Sequence, residues 1–590
     1  MDFQNAAVQN KNSTIGKDIT PISKPLTTSY LKTEFSIEPT NETIFDRFKR
    51  CVKSSPDKEA LVIADVDPAK RQAVTFKDCD DLSDNLAARL IKEGVGIKDA
   101  VAVLIPNCTE FIVSWMALLK CHVYPAFVSF NMTNGDDLKY VLNELKAVGI
   151  ILHTGVADEY YGIIKSVFGK FLNSKHDPDI PNLKFLIALG SRPFDGAIPY
   201  DDMIRRTTEL GREALQKRVA TVTADSPCVI LQTSGSSGRP KLVVHRHFSS
   251  NGFLFVAARY HLSKNDRYFC DRPLTWAGGF TGIIVACIVG TTAVTIDTTI
   301  SVAKRDVNSI LKIISREKCT KGLMMPYMLY DMLELPSVEK YNLEAFTKFL
   351  TAGQRIPRVL VEKIFKNLPK ASMVVAYGST EMWWVSSQFH DATPDIVEDQ
   401  METIGYPFPG FEVKITDEND QVVPIGTPGN IKTKSQQMFI GYFNDEKKTN
   451  EKIKDGWFNM EDFGYITEKG YLVFTSKKCD MIKRGTVLIA PGSIENVILD
   501  HPVVSKVIVV GVPDPRLYEE LCACVVLHPG ESRTERDIID YCNERFTEQT
   551  LDGLSLTPKF VIIMDDFPKL PNGKPDKISL KMMAAEKCGI

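Results

Sequence analysis

Leu231 to His245 reads LQTSGSSGRPKLVVH. Thr233, Ser234, Gly235, Ser236, Ser237 and Gly238 occupy six consecutive positions, and Arg239-Pro240-Lys241 follow. Such a run cannot bury an apolar face. Small residues let a backbone approach a phosphate chain, whose oxygens the exposed N–H groups and hydroxyls can meet. Lys241 adds charge. The stretch is not a Walker A loop, because no Gly-Lys-Ser/Thr closes it, and Pro240 removes one donor. A flexible Ser/Gly linker is the competing reading, but the apolar flanks Val229-Ile230-Leu231 and Leu242-Val243-Val244 argue against it.

Outward from this loop, helical and strand patterns alternate. In Asp137 to Val148, residues Leu138, Val141, Leu142, Leu145 and Val148 share one helical face. Gly149 stops that helix, and Ile150-Ile151-Leu152 reads as a buried strand. Val101 to Ile105 and Cys228 to Leu231 are further short apolar runs, the latter entering the Ser/Gly loop directly. Gly282 to Ile296 is apolar but broken at Gly290-Thr291-Thr292, too short to span a bilayer, and reads as a buried helix feeding a buried strand. Alternation of this kind predicts mostly parallel sheets covered on both faces, with ligands at the carboxyl ends of the strands. The Ser/Gly loop falls at such an end.

From about Met401 closely spaced turn signals separate short strands, a small β-rich region. A further α/β unit follows Ser476, with a strand over Val504 to Val512 and a helix over Thr534 to Phe546, N-capped by Thr534. The expected class is α/β: a large N-terminal domain (31–476) of two parallel-sheet α/β subdomains plus a small β-rich barrel, then a smaller, mobile C-terminal α+β domain (477–590). Residues 1–30 are polar and aperiodic and are expected to form a flexible tail.

The 590 residues carry a net charge of −3, with 44% hydrophobic and 25% charged residues, so nothing suggests nucleic-acid binding. The 13 cysteines include no Cys-x-x-Cys, which fits a reducing compartment better than a disulfide framework or a zinc site. With no signal peptide, transmembrane helix or peroxisomal tripeptide, a cytoplasmic protein is expected.

Several other segments complete the picture. Tyr377-Gly378-Ser379-Thr380-Glu381, Gly405 to Gly410, Gly429-Asn430-Ile431, Gly456 to Asp462, Asp480 to Pro491 with Glu495, and Pro568 to Lys574 (PKLPNGK) follow the loop in order. Together with Thr233–Lys241 they resemble the motif series of the adenylate-forming superfamily, which contains acyl-CoA synthetases, aryl-CoA ligases, luciferases and peptide-synthetase adenylation domains. The match runs from about residue 40 to about residue 585.

The resemblance implies a two-step reaction. A carboxylate attacks the α-phosphate of ATP to give an acyl-adenylate and pyrophosphate. A thiol, here expected to be coenzyme A, then takes the acyl group and releases AMP. It implies that Thr233, Ser234, Gly235, Ser236, Ser237, Gly238 and Lys241 cradle the β- and γ-phosphates, that Thr380 touches the α-phosphate, and that Glu381 binds Mg²⁺. Tyr377 would stack on adenine, with Gly353, Gly378 and Ser379 beside it, and Asp462 would accept the ribose hydroxyls. Lys574, presented from the Pro571-Asn572-Gly573 turn, would reach the substrate carboxylate and the α-phosphate. The acyl pocket would involve Trp276, Gly279, Met382 and Trp383. The Trp383-Trp384 pair either shortens that pocket, favouring a medium-chain or aryl acid, or packs in the core. Lys483, Arg484 and Arg516 either meet CoA phosphates or form a solvated basic face. A hinge is expected near Ser476.

The sequence departs from the pattern at Leu242, Met460-Glu461, Lys477 (in place of Arg), Cys479 and Thr486-Val487-Leu488. Lys477 keeps the charge but loses the bidentate fork. These departures leave a nucleotide-binding scaffold, and a luciferase-like second step, as alternatives to a carboxylic acid:CoA ligase. The expected protein is a stand-alone enzyme, monomeric or weakly homo-oligomeric, acting on a small-molecule carboxylic acid, ATP and CoA.

Overall fold

A computed structural model describes residues 25–34, 40–129, 135–233, 240–298, 300–301, 304, 306–333, 335, 338, 340–353, 356, 358–391, 403–477, 480–484, 487–489, 491–515, 517–546, 555–570 and 574–590. Ser234, Gly235, Ser236, Ser237 and Gly238 lie outside these residues. So do Cys479, Thr486, Arg516 and Pro571-Asn572-Gly573.

Two large sheets form the body. In the eight-stranded sheet, Pro227–Thr233, Tyr124–Phe127, Ala100–Leu104, Gly149–His153, Phe185–Leu189 and Ile198–Pro199 run parallel, and Lys241–Arg246 and Gly441–Tyr442 add antiparallel strands at one edge. The nine-stranded sheet has a parallel centre of Ser372–Ser379, Lys348–Ala352, Lys321–Leu323, Arg267–Cys270, Thr292–Ile296 and Glu59–Ala64. Antiparallel strands close both of its edges.

One core cluster runs between the two sheets, and separate clusters cover their outer faces. The helix Ala277–Val289 shows why. Gly279 to Ile288 are all buried, so this helix must sit inside, and Gly290 ends it in the left-handed conformation (φ 84°). Gly279 has no room for a side chain: a Cβ there would lie 2.1 Å from the Pro273 carbonyl oxygen.

The β-rich region is a six-stranded sheet built on Phe411–Thr416, Gly429–Ser435, Trp457–Ile466 and Leu472–Lys477. Its outer strand is Tyr30–Lys32, which pairs antiparallel with Phe411–Thr416. This corrects the expected tail. Ser29 and Tyr30 belong to the folded body, with the Ser29 hydroxyl donating to the Pro424 carbonyl at 2.8 Å. Three alternating residues were too little pattern to mark a strand whose partner lies about 380 residues away.

The C-terminal domain is a five-stranded mixed sheet with a core on each face. Its strand Val504–Asp514 and helix Glu535–Arg545 match expectation, with Thr534 and Asp537 completing a capping box. The earlier helix is shorter than expected: it spans Gly135–Glu144, because Lys146 turns left-handed (φ 47°) and redirects the chain into the strand at Gly149. All the described cysteines are free thiols. Among the described residues, no helix is long and apolar enough to cross a membrane.

Candidate active site

Strand ends supply most of the site. Pro227–Thr233 and Lys241–Arg246 form an antiparallel hairpin in which Thr233 pairs with Lys241, so the Ser/Gly segment is the hairpin's connection. Both ends of that connection are therefore fixed by the sheet. Lys348–Ala352 delivers Gly353, whose φ of 84° suits a residue without Cβ. Ser372–Ser379 delivers Tyr377, Gly378 and Ser379, and a tight turn through Thr380 and Glu381 leads into Trp383–Asp391. Gly378 is required in that turn, since a Cβ would lie 1.8 Å from the Trp383 carbonyl oxygen.

The turn is held from behind. His245, fully buried, has its Nε2 2.6 Å from the Thr380 carbonyl oxygen, which makes Nε2–H the donor. Burial pushes the His245 imidazole down to about 3, so the ring is neutral. It also stacks on Trp383, with centroids 4.2 Å apart and planes 29° apart. Phe253 packs edge-on against the same indole at 5.1 Å. Trp383, 7% exposed, is therefore a core residue, and so is the fully buried Met382. This supports the core-packing alternative for Trp383. Trp276 caps the buried helix and donates from Nε1 to Ser129 Oγ at 3.2 Å.

Glu381 is buried and accepts from the Tyr442 hydroxyl at 2.8 Å. Burial and the Glu381 carboxylate push the Tyr442 phenol far above its ordinary range. Lys241 Nζ lies 5.6 Å from the Tyr442 ring centroid. Burial, then the charge of Lys452, lower the Lys241 ammonium. Sequence reasoning missed Tyr442 and His245. The signal for His245 was present: directly after Val243-Val244, a histidine on a buried strand needs a partner for its ring nitrogens.

Across the site, Tyr377 donates its hydroxyl to Asp462 Oδ2 at 2.6 Å. Burial and this carboxylate push the phenol well above its usual range. Burial outweighs the Tyr377 hydrogen bond and the Lys477 charge at Asp462, raising that carboxyl to about 6. Lys477 pairs in register with Asp462 across the two strands.

Lys574 arrives from the C-terminal domain. The Leu570 N–H donates to the Lys574 carbonyl at 2.8 Å, and Lys569 and Pro575 form an antiparallel bridge. Its Nζ lies 3.6 Å from the position a Cβ on Gly353 would take. Although part of the side chain is accessible, the surrounding protein and the Lys477 charge lower its ammonium below the usual range, while Asp462 opposes that shift. The Lys577–Asp480 ion pair, 2.7 Å, ties the following helix to the segment beyond the expected hinge.

Two expected CoA contacts part company. Lys483 is exposed, its Nζ 5.1 Å above the Tyr518 ring. Arg484 is buried, pairs with Glu520 at 2.7 Å and donates to the Ser555 carbonyl at 2.5 Å. That corrects its expected role: a guanidinium committed to a buried carboxylate is not a free phosphate ligand in this conformation.

The residues fit a magnesium–nucleotide complex. Thr233 Oγ1 is buried and has no hydrogen-bond partner, a hydroxyl left for a ligand where the strand enters the Ser/Gly segment. Glu381 offers one hard carboxylate. Among the described residues no cluster of three His, Cys, Asp or Glu could hold a metal by itself. Mg²⁺ is commonly held by one or two carboxylates plus substrate phosphates, so a lone carboxylate suffices.

Fold and site together define an adenylate-forming architecture. A model of AMP-binding enzymes matches residues 48–443, and one of the AMP-binding enzyme C-terminal domain matches 493–574. The chain belongs to this family of AMP-binding enzymes. It is 28% identical to a putative acyl-CoA synthetase of Bacillus subtilis, YngI, over 92% of this chain and 98% of that protein. It is 26% identical to the mitochondrial medium-chain acyl-CoA ligase ACSF2 of Danio rerio, over 97% of this chain and 93% of that one. Its fold is similar to that of the anthranilate CoA ligase AuaEII in complex with anthranoyl-AMP. The TM-score is 0.77 at 22% identity, covering 94% of this chain and 99% of that structure.

Proposed function

We propose that the protein is an ATP-dependent acid–thiol ligase that forms an acyl-adenylate and passes the acyl group to coenzyme A. The observation that carries this reading is the position of Lys574. A C-terminal lysine sits beside Gly353, within the electrostatic reach of Asp462 and Lys477. One ammonium at that junction can hold a substrate carboxylate and an α-phosphate together while negative charge develops between them. Asp462 and Tyr377 orient the nucleoside, and Thr233 and Lys241 receive the distal phosphates. Glu381, oriented by Tyr442, would hold Mg²⁺, which supplies charge neutralisation to the phosphate chain when bound.

Attack by the carboxylate oxygen on phosphorus displaces pyrophosphate. Transfer then requires Lys574 to leave so that a thiol can reach the acyl carbonyl, and the Ser476–Lys477 junction is the place for that rotation. The relatives' names support fatty or aryl acids as the substrate class. Lys483 remains the proposed CoA phosphate contact.

Acid-dependent exchange of pyrophosphate into ATP, run across fatty and aryl acids, tests the first step. Exchange that disappears in Lys574→Ala supports the enzyme. Silence with every acid removes it and leaves a nucleotide-binding scaffold. Adenylate that accumulates without thioester on adding CoA removes the ligase step alone.

A further inference from the structure

The short helix Glu446–Lys452, sequence EKKTNEK, lies against the metal-side wall of the site. Its Thr449 hydroxyl accepts the Tyr442 N–H at 2.9 Å, and Thr449 lies 3.0 Å from where a Cβ on Gly441 would be. The helix is therefore fixed to the Tyr442 that orients Glu381 and lies beneath Lys241. Lys448 and Lys452 stand four residues apart, on one helical face. Their charges both bear on Lys241. The like charges of Lys448 and Lys452 oppose that of Lys241, and nothing in the fold of a seven-residue helix requires two lysines on that face.

The opposing charge is Glu461, which forms an ion pair with Lys452. Glu461 has φ 58°, a left-handed conformation that a glycine would adopt freely, and the motif it resembles carries glycine at this position. A glutamate kept in that conformation is explained by its carboxylate. Burial raises the Glu461 carboxyl, but Lys452, Lys241 and Lys477 outweigh it and hold it below the usual range. The pair is nonetheless loosely held. The Glu461 side chain is 55% exposed, and exposed ion pairs contribute little. The Lys452 side chain is only 16% exposed, so its ammonium has given up most of its water and depends on an anionic partner.

We infer that Lys452 is a further polyphosphate-binding residue and that Glu461 is its built-in counter-ion, which Lys452 exchanges for the β- and γ-phosphates of ATP or for pyrophosphate. The inference rests on the adenylate-forming reading and concerns the same site. It assigns the family-divergent Glu461 to nucleotide discrimination: a ligand with distal phosphates displaces the pair, and AMP does not.

Calorimetric titration of the full chain with MgATP, magnesium pyrophosphate and AMP tests this. Lys452→Ala is expected to weaken MgATP and pyrophosphate about tenfold, as for loss of a charge-assisted contact, while AMP changes less than about twofold. Lys452→Arg should restore most of the loss. Glu461→Gln should tighten MgATP and leave AMP unchanged, and it keeps the test alive if Lys452→Ala does not fold. Equal weakening of AMP and MgATP in Lys452→Ala, no change in either, or weaker MgATP in Glu461→Gln overturns the inference. If the wild-type chain binds none of the three ligands, the adenylate-forming reading itself falls.

Discussion

The Tyr377 hydroxyl donates to Asp462 Oδ2 at 2.6 Å, and it joins strand Ser372–Ser379 to strand Trp457–Ile466, whose neighbour Leu472–Lys477 reaches the Ser476–Lys477 junction. Burial raises Asp462 to about 6. An ionised Asp462 is the better acceptor for ribose hydroxyls, so nucleotide affinity should fall as pH drops through about 6. Titrations with AMP between pH 5 and 8 check this. A raised carboxylate has the opposite consequence for folding. Its contribution to stability is present below the ordinary carboxylate range and is lost as pH rises through about 6. The ionised group then costs on the order of 3 kcal/mol. Asp462→Asn keeps an acceptor for Tyr377, so it should raise the melting temperature above pH 6 while weakening nucleotide binding.

Gly353 and Lys574 approach closely, and the φ of 84° at Gly353 strains any other residue. Gly353→Ala should cost about 1–2 kcal/mol of stability. It should also slow adenylate formation, because relief of the strained φ shifts the backbone against which the Lys574 ammonium sits. Supplying preformed acyl-adenylate should bypass the defect and restore thioester formation, read by chromatography of the acyl-CoA. A thioester step slowed equally would mean that the domain contact, rather than the ammonium, was lost.

His245→Phe keeps a ring against Trp383 but removes the donor to the Thr380 carbonyl. The orphaned carbonyl should cost about 1–3 kcal/mol. Pyrophosphate exchange should fall through kcat more than through KM for the acid, because the turn carrying Thr380 and Glu381 loosens. The imidazole is neutral down to about 3, so no part of the activity profile between pH 5 and 8 should vanish in this variant.

Gly279→Ala would place a Cβ 2.1 Å from the Pro273 carbonyl oxygen. Overpacking at such a contact typically costs about 1–3 kcal/mol. The helix can relieve it only by moving the Trp276 segment, so KM for the acid should change along with the melting temperature. A lowered melting temperature with an unchanged KM would detach Trp276 from acid binding.

Much of the site is legible in the chain because its chemistry is local. Thr233 to Lys241, Tyr377 to Glu381, Asp462 and Lys574 each stand in a short pattern whose turn residues and charges announce a role. The alternation of apolar runs likewise announced parallel sheets, since strands buried on both faces read as unbroken apolar segments. What the chain did not show were partnerships across long separations. Nothing near Glu381 names Tyr442 as its partner, nothing near Thr380 names His245, and nothing near Glu461 names Lys452. Arg484 reads as a free cation until Glu520 is folded against it, and Tyr30–Lys32 reads as tail until a distant strand offers it an edge. Local sequence marked which groups are candidates for phosphate, ribose and metal, because backbone conformation and side-chain chemistry are properties of neighbouring residues. The tertiary structure decided which charges are already neutralised and which remain for a ligand, because burial and ion pairing depend on residues brought together only by the fold.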